Sequence, residues 1–346
     1  MKKITTILAA MLMTAVSTLN AQNFSVTLKN GGKLFLHITD SINRTVSVVR
    51  PVAFVGSNAN LPVGALDIPA SVTFKDTVYR VTGIGERAFS NIDGLTFVAI
   101  PSSITSIGEK AFEGCTALEG VVFPAASPAI GKGAFDGTSR LSSVSFGSDW
   151  QSVDFGMFSS SALETVIIPA KVKKITNMKA VESLKQIIVD GNNPAFSSKY
   201  GMLYSKDGKT LFTCPVGKAG VVEVAEGVEK ILEGAFKDCG KVTEVILPST
   251  IREFAYNEFV ECKGMYSLTI LSEMPPVTAK FNGTSVFALR LADIMTNVYV
   301  NGSSQSLYKT AICSKAGIYE SLPGTRKDNI SEGDLISKQS IMKIKK

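Results

Sequence analysis

A 23-residue phrase that recurs along the chain constrains its fold more than any other feature. Phe89, Phe112, Phe135, Phe158 and Val181 follow one another at intervals of 23, and the interval returns between Phe236 and Phe259. Ala88, Ala111, Ala134 and Ala235 precede four of these aromatics. Five residues before each aromatic stands Ile84, Ile107, Ile130, Val153, Ile231 or Phe254. Nine residues after it come Val98, Val121, Val144, Val245 and Leu268. A fixed period of this length marks a solenoid, because one unit cannot close a core alone and must stack on its neighbours.

The physics of one unit can be read from Ile100 to Phe123. Side chains alternate across a strand, so Val121 and Phe123 share a face and Val122 takes the other. Pro124 has no N–H for a ladder and ends that strand. Ile104 and Ile107 predict a second inward-facing extended piece, with Gly108 allowing the turn after it. Glu109 to Cys115 is too short for a free-standing helix, but one helical turn would aim Ala111, Phe112, Cys115 and Leu118 inward. Each unit is therefore expected to hold a strand, a bend, a short helical turn and a return. The strands would line up as a parallel sheet on the concave face, with the helical turns opposite.

Ile100-Pro101, Ile107-Gly108, Ala111-Phe112, Gly114-Cys115 and Leu118 together resemble the repeat phrase of the BspA-like leucine-rich repeat family of bacterial surface proteins. Gly234-Ala235-Phe236 with Asp238-Cys239 resembles it again, and the likeness runs over roughly residues 66 to 322. It departs at Phe146-Gly147, where the proline is missing, and at Thr176 to Val181, where the Ala-Phe pair is lost. The resemblance implies an α/β repeat fold, a leucine-rich-repeat solenoid. It also implies surface exposure and attachment to host proteins or other cells.

Along the chain, residues 1–21 read as a secretory signal: Lys2-Lys3, an apolar run from Ile4 to Val16, then Leu19-Asn20-Ala21. Residues 22–65 alternate as strands and are expected to form an N-terminal β cap, which a terminal repeat needs. The repeats span 66–271. An insert at about 190–220 is expected to be a hairpin, because Asp207-Gly208 stands between two apolar alternations. Residues 272–322 resemble the family's C-terminal cap, and 323–346 read as a flexible tail. No later stretch approaches the ~20 apolar residues of a membrane-spanning helix, so the mature chain is expected to have no transmembrane segment. These features point to an exported protein that is secreted, periplasmic or held at the cell surface.

The formal charge of +6 falls to +4 once Lys2 and Lys3 are set aside. The stretch from Arg326 to Lys346 has six basic and three acidic residues, which leaves about +1 on the body. A nucleic-acid partner needs a clustered basic stripe, and none is visible. Five scattered cysteines form no disulfide framework. Cys115, Cys239 and Cys262 share one inward repeat position and read as small buried hydrophobes, with a bond between Cys239 and Cys262 on adjacent rungs as the alternative in an oxidising compartment. There is no CxxC pair to suggest zinc. His37 is the only histidine, and nothing near it in sequence completes a triad or a metal site. Gly208-Lys209-Thr210 lacks the first glycine of a phosphate loop, because Leu203 stands there. The chain is expected to be no enzyme and to need no cofactor or metal.

Function is therefore sought on the surface. The outward strand positions Phe97, Ala99, Val122, Ser145, Ile167, Ile188, Ile246 and Thr269 form a mostly apolar line, a candidate protein-binding face. Trp150, Tyr200, Tyr204 and Phe212 form a second candidate, since exposed aromatics can stack on sugars. Host extracellular or cell-surface proteins, or other bacterial surface proteins, are the expected partners. A glycan is the alternative, and a purely structural envelope role a third reading. Asp40-Ser41-Ile42 and Asp76-Thr77-Val78 also resemble the O-glycosylation signal of exported Bacteroidetes proteins.

Overall fold

The computed structural model describes residues 23–50, 61–254, 259, 261–278, 280–281, 284–285, 297–301 and 342–345. The expected leader, most of the C-terminal cap and most of the tail lie outside these residues. The chain divides into two compact units, one of residues 1–150 with 157–162 and one of 151–156 with 163–346.

In the first unit the period becomes two parallel ladders. Gly64–Asp67, Leu95–Ala99, Gly120–Val122 and Ser143–Ser145 pair in register, so Leu66, Val98, Val121 and Val144 follow one another across the strands. Leu66, Val98 and Val121 are almost fully buried. Thr77–Ile84, Ser106–Ile107 and Ala129–Ile130 form the second ladder, aligning Ile84, Ile107 and Ile130. The N-terminal meander (Asn23–Thr27, Lys33–Asp40, Thr45–Val48) joins this second ladder through Thr45–Val48, which lies parallel to Thr77–Ile84.

The short helical turns expected after each Ile-Gly do not form. Ala111, Phe112, Cys115 and Leu118 are buried as their spacing required, but the backbone between them is a chain of β-turns. The N–H groups of Ala111, Glu113 and Cys115 donate to the carbonyls of Gly108, Lys110 and Phe112. Those of Lys110, Phe112 and Gly114 donate instead to Lys132, Ala134 and Asp136 on the next rung. An α-helix would spend all of these donors on itself. Left-handed residues enforce the difference. Two positions before the aromatic stand Arg87, Lys110, Gly133 and Gly234, and two after it Asn91, Gly114, Gly137, Asp238 and Glu261, with φ from +50° to +72°. Helical structure among the described residues is limited to two single 3₁₀ turns, Phe155–Phe158 and Met178–Ala180.

Rungs stack through their aromatics. The Phe89, Phe112 and Phe135 rings lie 5.1 and 5.2 Å apart and nearly parallel. Phe236 and Phe259 repeat the arrangement in the second unit at 5.1 Å.

The second unit contains the parallel pair Thr165–Ile168 and Gln186–Val189. It also contains a five-stranded parallel sheet of Gly220–Glu223, Val242–Leu247, Ser267–Ile270, Asn297–Asn301 and Met342–Lys345. The single continuous sheet expected from the sequence is therefore broken within this unit. The cause is the insert, which is a three-stranded meander (Phe196–Lys199, Met202–Ser205, Thr210–Thr213) rather than a simple hairpin. Its first turn takes the free edge of Gln186–Val189, where the Ile187 N–H donates to the Gly201 carbonyl at 3.0 Å. Its last strand runs parallel to Lys230–Ile231, within a six-stranded sheet of the second unit that continues through Glu253–Phe254 and Val277–Thr278. Met342–Lys345, read from sequence as part of a flexible tail, pairs with Asn297–Asn301.

Candidate functional site

Register fixes which outward side chains are neighbours. In the first unit one outward column runs Asp67, Ala99, Val122, Ser145. Val122 is exposed and Ala99 half-buried. Phe97 belongs to the next column, and its ring lies across Gly120, where a Cβ would stand 2.7 Å from a ring carbon.

In the second unit Ile167 and Ile188 are directly paired across Thr165–Ile168 and Gln186–Val189. Their relative exposures are 58% and 38%, large for aliphatic side chains set side by side on a sheet. The ion pair between Lys185 and Glu164, just before these strands, gives them a charged flank. Tyr200, 51% exposed, precedes the glycine that bonds Ile187. The Lys199 ammonium lies 5.3 Å from the Tyr200 ring centroid, and Lys218 Nζ donates to the Tyr200 carbonyl at 2.6 Å. Tyr200 thus stands in the turn that borders the edge of the strand presenting Ile188.

The remaining candidates separate from this cluster. On the five-stranded sheet the column runs Glu223, Ile246, Thr269, Tyr299. Ile246 is half-buried. Thr269 is buried, and its hydroxyl donates to Glu244 at 2.8 Å. Asp67 and Glu223 place carboxylates in the line that was read from sequence as mostly apolar. Both were recoverable, since each lies one residue from an inward-facing partner, Leu66 or Val222. Val221, 59% exposed, was also missed.

Of the aromatic set, Trp150 is buried and its indole N–H donates to the Pro124 carbonyl at 3.1 Å. Its ring packs on Phe123 and Phe146. Tyr204 is buried, its hydroxyl accepting from the Ala225 N–H at 3.4 Å, and burial pushes its phenol well up. Phe212 is half-buried, edge-on to Phe196 at 5.8 Å. These residues build no flat aromatic platform; only Tyr200 is open to a ligand.

Ser41 is exposed in the turn between Lys33–Asp40 and Thr45–Val48, and Thr77 is half-buried at the start of its strand. His37 Nδ1 pairs with Asn23 Oδ1 at 2.9 Å. Among the described residues no group of three or more His, Cys, Asp or Glu side chains could hold a metal ion. No helix among them is long and apolar enough to cross a membrane.

Parallel rungs at a 23-residue period, with a buried aliphatic and in most turns a buried aromatic at fixed positions, define a leucine-rich repeat protein built almost wholly of strands and turns. The chain belongs to the BspA type leucine rich repeat region family, whose model matches six copies over residues 70–185 and 216–308. Similar solved structures include a leucine rich cell surface protein from Faecalibacterium prausnitzii, 17% identical, covering 88% of this chain and 99% of its own at a TM-score of 0.40. The pneumococcal vaccine antigen PcpA is 19% identical, covering 93% and 99% at a TM-score of 0.44. A leucine-rich repeat protein from Bacteroides ovatus is also 19% identical, covering 78% and 85% at 0.42. No curated protein sequence matches this chain.

Proposed function

We propose that this chain is a non-enzymatic adhesion protein, exported by its N-terminal leader and exposed at the cell surface or secreted. It binds host extracellular or cell-surface proteins, or other bacterial surface proteins, through the outward face of the strand pair Thr165–Ile168 and Gln186–Val189. The observation that supports this reading is the in-register pair of exposed isoleucines, Ile167 and Ile188. β-branched residues suit any strand, but on a solvated face their partners are usually polar. Here two stand together, with an exposed tyrosine in the turn at the strand's edge and an ion pair just before the strands, the arrangement of an apolar centre with a polar rim.

The test is binding of residues 22–346 to immobilised extracellular-matrix and cell-surface proteins and to a glycan panel. Ile167→Lys/Ile188→Lys is run beside it after circular dichroism confirms the fold. Losing two central apolar contacts should weaken protein binding on the order of tenfold or more. Protein binding unchanged in the variant would overturn the assignment of the face. Binding to glycans alone would overturn the class of partner.

A further inference from the structure

Among the buried cysteines of the repeat, one is unlike its siblings. Cys115 and Cys262, at the same repeat position, each donate a short hydrogen bond to the carbonyl of the preceding rung's phenylalanine. Cys115 reaches Phe89 at 3.1 Å and Cys262 reaches Phe236 at 2.9 Å. Burial pushes the two thiols up to about 11 and about 12. For Cys239 the preceding rung is the insert, where Cys214 stands in place of the phenylalanine, its N–H donating to the Ala235 carbonyl as the Phe89 and Phe112 N–H groups donate to Ala111 and Ala134. The Cys239 sulfur makes only long contacts, 3.6 Å to the Cys214 carbonyl and 3.7 Å to those of Pro215 and Lys237.

Two other groups reach Cys239. The Lys179 ammonium lies 3.6 Å from its sulfur while donating to the carbonyls of Cys214 at 2.7 Å and Ala235 at 3.0 Å. Both the Cys214 and the Cys239 sulfur lie 3.7 Å from the Pro215 carbonyl, which places the second thiol beside the first. The Cys214 thiol and the Lys179 ammonium hold the Cys239 thiol below its ordinary range, whereas burial and the neighbouring Cys239 hold Cys214 well above. A sulfur that faces an ammonium is placed to act as a thiolate, which is the nucleophile in disulfide exchange.

We infer that Cys239 and Cys214, not Cys239 and Cys262, are a disulfide-forming pair that cross-links the insert to the following rung, with Lys179 positioning the attacking sulfur. The oxidant is a low-molecular-weight disulfide. The Cys239 thiolate attacks one of its sulfurs, forming a mixed disulfide and releasing one thiolate, which takes up a proton from solvent. Cys214 then loses its proton and attacks Cys239 Sγ, expelling the second thiol with that proton. The two cysteines together give up two electrons, and the small disulfide is reduced to two thiols. Because both sulfurs are buried, the small disulfide reaches Cys239 through local openings of the rung that leave Lys179 beside it. This inference is independent of the adhesive reading, since its test needs no partner.

The experiment treats folded, reduced residues 22–346 with a buffer of reduced and oxidised glutathione. Remaining thiols are then alkylated under denaturing conditions and the unreduced peptides mapped by mass spectrometry. The expected product links the peptides of Cys214 and Cys239, survives Cys262→Ser, and forms faster as pH rises toward neutrality. Lys179→Met should slow its formation several-fold near pH 7 and shift the pH profile upward, because the cation that favours the thiolate is gone. A Cys239–Cys262 link, a link to Cys313 or full alkylation of Cys214 and Cys239 would overturn the pairing. If Lys179→Met fails to fold, Lys179→Arg keeps a cation there. An unshifted profile in Arg, with the link intact, supports charge-based positioning, and a profile raised as far as expected for Met overturns it.

Discussion

At Gly108 a methyl group would stand 2.5 Å from the Glu86 nitrogen and 2.6 Å from the Gly85 carbonyl carbon. Gly131 is in the same position one rung on, where a Cβ would stand 2.4 Å from the Glu109 nitrogen. Both obstacles are backbone, so no side chain can swing away. Gly108→Ala should therefore destabilise the protein by about 3 kcal/mol, the upper part of the range for overpacking. Gly191→Ala, with nothing near its Cβ, should stay within about 0.5 kcal/mol of wild type. Urea unfolding of the two variants checks both figures, and equal midpoints would refute the close-approach account. The glycine itself was legible in the Ile-Gly phrase, but its reason was not. Sequence suggested a turn, whereas the structure shows the backbone of one rung lying where the next would put a side chain. The aromatic candidates failed similarly. Trp150 and Tyr204 look ligand-ready in the sequence, yet each finds a buried polar partner, Pro124 or Ala225, from a neighbouring rung.

At the scale of elements, the strands were readable because alternation leaves a period-2 trace, and the turn ladder was not. Ala111, Phe112 and Cys115 are spaced as one face of a helix would space them. What excludes the helix is the left-handed residue on each side of the aromatic. Glycine occupies that position before the aromatic at Gly133 and Gly234, but Arg87 holds it with φ of +50°. A left-handed side-chain residue costs about 1–2 kcal/mol that glycine does not, while the exposed Arg87 ion pairs with Glu86 and Glu113 contribute little. Arg87→Gly should therefore raise stability by about 0.5–1 kcal/mol. Gly133→Val should lower it by about 2 kcal/mol. Thermal unfolding decides, and a lower midpoint for Arg87→Gly would mean that its ion pairs outweigh its backbone strain. The hairpin of Ser71–Phe74 and Thr77–Ile84 offers the same lever. Lys75 and Asp76 are both left-handed there, at +48° and +62°, where a two-residue turn prefers Asn-Gly.

For the molecule as a whole, the period was enough to name the architecture, because stacking imposes the same inward residues on every turn. It was not enough to name the face, because outward residues carry no such constraint and Asp67 or Glu223 can interrupt a line of aliphatics without disturbing a rung. The same stacking governs how stability is distributed, since each rung in a repeat array touches only its neighbours. Phe112 lies between Phe89 and Phe135 within the first unit, and Phe112→Ala should cost about 3–5 kcal/mol. Openings that break this rung become easier by that amount, and those that spare it do not. The Phe89 amide, bonded to the Ala111 carbonyl, and the Phe112 amide, bonded to Ala134, should exchange on the order of a hundredfold faster or more. Amides of the meander strand Lys33–Asp40, at the far end of the second ladder, should change far less. Native-state hydrogen exchange resolves the two groups, and an equal acceleration at both would show that the unit opens as one block rather than rung by rung.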